Sequence, residues 1–217
     1  EHLPYIAILS FFGMFLFMVA FIVGVSLTSA ANTGIIQGII PLMILLVSFA
    51  AGIERPTVRT VAGIVIGFAG MIALTFSGGK LALNTGDILL LCSGLAWAIH
   101  TVFSKRILGH YSPMATTAWI YVFTSLYQLP LFLYQLPRQS FATVTPVNWL
   151  YLIISIVGSV FLANTFYYYA ITIIGPSRAG IYTNLTPVFT LALAIMIRGE
   201  SITIAQIAGL ALIISGI

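Results

Sequence analysis

The strongest constraint on this chain is a succession of eight apolar runs divided by short polar breaks, each near the roughly 20 residues an α-helix needs to cross about 30 Å of hydrocarbon. They extend over 4–27, 31–52, 58–77, 86–108, 112–136, 147–173, 177–198 and from 203 onward. Of the 217 residues 60% are hydrophobic and only 6% charged, where a soluble domain carries about 25% charge, so a water-soluble globule is excluded. Lipid offers no partner to backbone N–H and C=O groups, and spanning segments are therefore helices or closed barrels. The runs do not alternate polar and apolar with a period of two, which removes the barrel. The expected fold class is an all-α integral membrane protein, a multi-pass bundle.

Each break carries its own chemistry. Asn32 and Thr33 follow the first run, Glu54, Arg55 and Pro56 separate the second from the third, and Gly78, Gly79, Lys80, Asn84 and Asp87 surround the start of the fourth. Pro113, Pro137, Pro146 and Pro176 fall where a helix begins or must end. Short loops make neighbouring spans antiparallel, so the loops alternate between two faces. One face collects Arg55, Arg59, Lys105, Arg106 and Arg178, the other Lys80, Arg138 and Arg198. The richer face is expected in the cytoplasm. The net charge of +4 is thus a topology signal, scattered singly at helix ends, and not a nucleic-acid footprint. Cys92 has no partner in the chain and reads as a packing residue inside an apolar run. The chain starts at Glu1 and stops inside an apolar run that has hardly begun, so both ends read as cut.

Sliding the chain against itself by 146 residues reveals an internal repeat. Gly34, Ile35, Pro41, Leu45, Glu54, Thr57, Ala62, Gly63 and Gly70 fall on Gly180, Ile181, Pro187, Leu191, Glu200, Thr203, Ala208, Gly209 and Gly216. The shift carries the first three spans onto the sixth, seventh and eighth. Matched spans stand five apart in order, an odd offset, so the second copy is inverted, an arrangement that secondary transporters use to build two exchangeable halves around a site near the midplane. The expected units are 1–77, a first repeat with three spans, and 82–217, a second repeat with five.

Each copy reads as a helix with a central Pro, a Glu-containing turn and a Gly-rich helix: "GIIQGIIPLMILLVSFAAGIERPTVRTVAGIVIGFAG" and "GIYTNLTPVFTLALAIMIRGESITIAQIAGLALIISG". This resembles the EamA repeat of the drug/metabolite transporter superfamily, and "GDILLLCSGLAWAIHTVFSKRIL" is similar to the opening helix of its second copy. The resemblance implies ten spans in two groups of five, of which these eight would be the third to the tenth. It also implies export of amino acids, other metabolites or toxic compounds, from a bacterial or archaeal plasma membrane.

Ionised groups are costly within a membrane, so they are the first place to seek a coupling or binding site. None stands well inside a span here. Glu54 and Glu200 sit just past helix ends beside Arg55 and Arg198, where a capping or turn role fits. Without midspan cations a phosphorylated substrate is disfavoured. The polar and aromatic residues remain. On the fourth span Ser93, Trp97, His100, Thr101 and Ser104 share one face, on the sixth Asn164, Tyr167 and Tyr168 do so, and on the seventh Tyr182, Thr183 and Thr186 stand near Pro187. The second span offers Gln37 and the break at Pro41. The candidate substrate-binding set is Gln37, Trp97, His100, Thr101, Asn164, Tyr168 and Tyr182, with Pro41 and Pro187 as candidate gating kinks. Interhelical hydrogen bonding and simple packing are the competing roles for each. His100, which in water titrates near pH about 6.5, is the one midspan candidate for a coupled proton.

The expected function is a secondary transporter that moves a small neutral or zwitterionic metabolite, an amino acid or drug-like solute, by alternating access. A passive channel or facilitator and a non-transporting scaffold are the alternatives. No GxxxxGK[ST], HExxH or midspan Ser–His–acid set is present, so neither an ATP site nor an enzyme is expected, and no cofactor or metal. The expected partners are a small-molecule substrate and the lipid bilayer, with no nucleic acid, in a monomer or weak homodimer.

Overall fold

A computed structural model describes residues 2–75, 84–139, 141, 144–198 and 203–217. Gly78, Gly79, Lys80 and Glu200 lie outside the described residues, as does the side chain of Arg198. All regular structure among the described residues is helical. We number the helical segments α1 (Leu3–Leu27), α2 (Ala30–Ala50), α3 (Val58–Thr75), α4 (Thr85–Leu108), α5 (Pro113–Gln135), α6 (Pro146–Ile174), α7 (Pro176–Tyr182, a 3-10 turn Thr183–Leu185, then Thr186–Arg198) and α8 (Ile204–Ser215). They stand at the eight positions that the apolar runs mark, with boundaries shifted by three residues or fewer. Leu3–Leu27, Asn32–Ala50, Thr85–Leu108 and Pro146–Ile174 are each long and apolar enough to cross a membrane, and Val58–Leu74 and Ile204–Ser215 are shorter apolar helices. Large apolar side chains such as Ile22, Phe49, Leu133, Ile153 and Phe166 face outward, as expected where the solvent is lipid.

The helix starts follow from short polar residues that accept orphan N–H groups. Ser29, Asn84, Ser112, Thr145 and Thr203 cap α2, α4, α5, α6 and α8 through hydrogen bonds of 3.0–3.3 Å to backbone N–H groups three residues on. Thr57 caps α3 in the same way, with the Thr60 N–H at 3.2 Å, and its counterpart 146 residues later is the Thr203 cap of α8. Pro113, Pro146 and Pro176 each occupy a first helical position, where the missing N–H costs nothing. Two helices contain π-helical turns, α1 over Phe11–Phe15 and α6 over Ser155–Leu162. Moved by 146 residues, the first falls within the second.

α4 is the central element. It packs along α1 and α2 and also touches α5, α6 and α7. Two carboxylates, Asp87 buried and Glu54 half-buried, tie its ends to its neighbours. At its start, Asp87 accepts from the Thr28 hydroxyl at the end of α1, from Asn32 Nδ2 in α2 at 3.0 Å and from the Asn84 N–H at 3.0 Å. At its far end, Glu54 follows α2 and accepts the Ser177 N–H of α7 at 3.1 Å and the Ser48 hydroxyl at 3.1 Å, with Lys105 Nζ at 4.0 Å. Glu54 thus caps a helix that is distant in sequence, and the local turn role expected of it is only part of its work.

α3 and α8 also pair extensively. They run antiparallel with glycines facing at both crossings. A Cβ on Gly216 would lie 2.5 Å from the Gly63 carbonyl oxygen, and one on Gly70 would lie 2.7 Å from that of Gly209. Only a hydrogen atom fits there, so the backbones approach to where carbonyls lie over the glycines. Gly63→Val and Gly209→Val are each expected to destabilise the fold by about 1–3 kcal/mol through overpacking. The measurement is unfolding of purified protein in mixed micelles; unchanged stability in both would mean the seam is loose.

Candidate functional site

A cavity of about 910 Å³ lies between α1, α2, α3, α4, α7 and α8. Its position in the bundle follows from the helix ends that reach it: Val25 from the last turn of α1, Thr33 from the first turn of α2, Leu74 from the end of α3 and Gln206 from the first turn of α8. All four ends meet at one side of the bundle, where the cavity opens. The opposite side is closed. There Ile44 of α2 meets Gly180 of α7 so closely that a Cβ on the glycine would lie 2.8 Å from Ile44 Cδ1. Leu45, Ile64 and Ile181 form a buried cluster beside it. The helices α2 and α7 pack over Pro176–Tyr182 and diverge along Thr186–Arg198.

The wall is apolar and aromatic, with uncharged polar groups set into it. Phe17, Phe21 and Trp97 supply rings, and Gln37, Thr183, Asn184, Thr190 and Gln206 supply amides and hydroxyls. No described residue on the wall is charged. The arrangement suits a solute without net charge, since a lone ion would be desolvated with no opposite charge beside it.

Behind Trp97 stands a sealed aromatic cluster. The indole stacks on Tyr167 (centroids 5.8 Å apart, planes at 24°) and on His100 (5.7 Å, 23°), and meets Phe17 at 5.1 Å. His100 is fully buried. Its Nδ1 lies 3.3 Å from the Leu9 carbonyl oxygen, which can only accept, so Nδ1 carries the proton. Nε2 is then free to accept the Tyr168 hydroxyl at 2.6 Å. The space for the ring exists because residue 13 is glycine: a Cβ there would overlap the His100 side chain. Both ring nitrogens are therefore committed to protein partners, and the imidazole fixes the backing of Trp97.

The expected site residues divide accordingly. Gln37, Trp97 and Pro187 stand on the cavity wall, and Pro41 is buried next to Ile40, which also lines it. His100, Thr101 and Tyr168 lie behind the wall, fully buried, with the Thr101 hydroxyl 3.5 Å from that of Tyr167. Asn164 is turned onto its own helix, where Nδ2 donates to the carbonyls of Val160 at 2.9 Å and Ser159 at 3.3 Å within the π-helical stretch. Tyr182 faces outward beside Arg178 and Thr60, away from the cavity. Ser93 and Ser104 are buried and bonded to carbonyls of α4 itself. Among the wall residues that helical spacing alone did not single out are Phe17, Phe21, Asn184, Thr190 and Gln206. Asn184 had a legible signal, three residues before Pro187, where the helix tightens into a 3-10 turn. Tyr168→Phe removes the one partner of His100 Nε2, and is expected to cost about 1–3 kcal/mol of folding free energy. Equal stability of variant and wild type in detergent unfolding would remove this pair from the supports of Trp97.

Comparison with known proteins agrees with this architecture. A crystal structure superposes with a TM-score of 0.82 over 96% of this chain and 74% of its own, at 19% identity, a likeness of fold. An uncharacterized transporter of Bacillus subtilis, YetK, is 26% identical over 213 residues, covering 96% of this chain and 64% of the relative. An uncharacterized transporter of Archaeoglobus fulgidus is 28% identical over 218 residues, 77% of its length. A protein of Salmonella typhimurium named as a probable amino-acid metabolite efflux pump is 26% identical over 182 residues, 78% of this chain and 58% of the relative. The chain thus spans somewhat under two thirds of the length of two of these relatives. The sequence profile of the EamA-like transporter family matches residues 1–76 and 84–217, and with this bundle of apolar helices the chain is an integral membrane protein that belongs to that family of transporters.

Proposed function

We propose that the chain is the larger part of a secondary carrier that exports small neutral or zwitterionic metabolites, amino acids among them, by alternating access between two inverted repeats, 1–77 and 82–217. The observation that carries this reading is an asymmetry between equivalent contacts. Under the 146-residue correspondence, the Ile44–Gly180 contact that closes one side maps onto Thr190 and Gly34. Both of these line the open cavity at the other side. A structure in which the two repeats exchanged conformations would bring Gly34 against Thr190 and release Ile44 from Gly180. The matched π-helical turns, the matched Thr57 and Thr203 caps and the facing glycines of α3 and α8 support the same correspondence.

Charge supports both the orientation and the cargo of this reading. Arg55, Arg59, Lys105, Arg106 and Arg178 gather at the closed side, which assigns that side to the cytoplasm and the open side to the exterior. The uncharged wall favours a solute of zero net charge, and the name of the Salmonella relative favours an amino-acid metabolite. The driving force is the gradient of the solute itself or of a coupled ion.

The test uses the full-length protein with Gly34→Cys and Thr190→Cys in a Cys92→Ser background. Oxidation in proteoliposomes is expected to trap a closed exterior, abolish counterflow and be reversed by thiol reduction. Absence of the disulfide together with flux that never saturates would sink alternating access and leave a passive facilitator.

A further inference from the structure

Among the described residues three buried side-chain polar atoms have no hydrogen-bond partner: Thr116 Oγ1, Ser177 Oγ and Asn184 Nδ2. Thr116 stands on α5, away from any cavity wall described above, and Ser177 lies in the small Glu54 pocket at the closed side. Asn184 alone of the three lines the large cavity. It is 2% exposed, and its Nδ2 has no hydrogen-bond partner among the described residues.

Its placement is built by the backbone. Pro187 cannot donate to the carbonyl four residues before it, and the chain tightens into the 3-10 turn Thr183–Leu185, in which the Thr186 N–H bonds to the Thr183 carbonyl instead. That turn carries Asn184 inward, against α3. There Gly67 makes the room: a Cβ at that position would lie 3.1 Å from Asn184 Nδ2. Gly38, the counterpart of Asn184 in the first repeat, has no side chain, so the amide is a feature of one half alone.

We propose, resting on the carrier reading above, that the Asn184 carboxamide is the specificity-determining anchor of the cavity, donating to a carbonyl or carboxylate oxygen of the solute. Rotation about its soft terminal torsion brings the N–H to the cavity without moving the helix. A buried amide without a partner favours whatever supplies one, and discriminates against an analogue that lacks the acceptor. The rest of the solute lies against Phe17, Phe21 and the Trp97 ring, which calls for an apolar body next to that oxygen. The ligand class is a small neutral or zwitterionic molecule with an oxygen acceptor beside an aliphatic or aromatic group.

The experiment measures the thermal shift of full-length protein in detergent with three probes that share one apolar body: L-leucine, N-acetyl-L-leucinamide, and isopentylamine, which has no oxygen. Wild type is expected to bind at least one of the first two and to bind isopentylamine at least tenfold more weakly. Asn184→Leu is expected to weaken the oxygen-bearing probe tenfold or more, and Asn184→Gln to restore part of the loss. The melting temperature of ligand-free Asn184→Leu should equal or exceed that of wild type, because an unpaired amide is removed; a large fall would identify a structural role and overturn the proposal. Equal binding by wild type and Asn184→Leu would overturn the anchor and leave the carrier intact, whereas binding of none of the probes, or of isopentylamine best, would overturn the solute class. Failure of the carrier itself is seen separately, in the Gly34–Thr190 cross-link.

Discussion

The close approach of α3 and α8 is the constraint on which the rest of the bundle depends. Apolar helices gain little by leaving lipid for each other, so association rests on tight packing and on polar contacts. Here the tight packing is isologous. Gly63 meets Gly216 and Gly70 meets Gly209, and under the 146-residue correspondence each of these contacts maps onto the other. A joint of this kind can hold two halves together without preferring one end of the bundle over the other. The preference arises elsewhere, in the Ile44–Gly180 contact and in the divergence of α7 beyond its 3-10 turn.

The central helix α4 separates two environments that its sequence presents as one face. Trp97 looks into the cavity, while His100, Thr101 and Ser104, one turn or so further on, are enclosed. The polar groups in the enclosed part are satisfied by the Tyr168 hydroxyl, the Leu9 carbonyl and the carbonyls of α4 itself. Since the His100 ring is held at both nitrogens, it makes a rigid backing for the indole. Aromatic stacking then gives the cavity a fixed floor between the α2 and α7 walls.

Much of the fold was legible because lipid leaves few options. Run length, polar breaks and prolines such as Pro113, Pro146 and Pro176 placed the eight helices to within a few residues. Helical spacing could group Trp97 with His100, yet it could not say which neighbour each side chain meets, because that depends on interhelical rotation. Asn164 illustrates the difficulty: a midspan amide looks like a binding group, but its side chain donates to carbonyls of the π-helical turn before it. Tyr182 faces outward for a similar reason, since the change from α to 3-10 geometry after it alters the rotation of the chain. Phe17 and Phe21 carried no signal at all in a span composed almost wholly of apolar residues.

The π-helical turn in α1 explains how those two rings come to face the cavity. A π turn closes its hydrogen bonds one residue later than an α turn, and one residue corresponds to about 100° of helical rotation. Before Phe11–Phe15, the helix directs Ile6, Leu9 and Ser10 into the packed interior. After it, Phe17, Phe21 and Val25 line the wall. The aromatic wall is therefore set by phase as much as by composition: one spare residue in an otherwise uniform span decides which side chains a solute would meet.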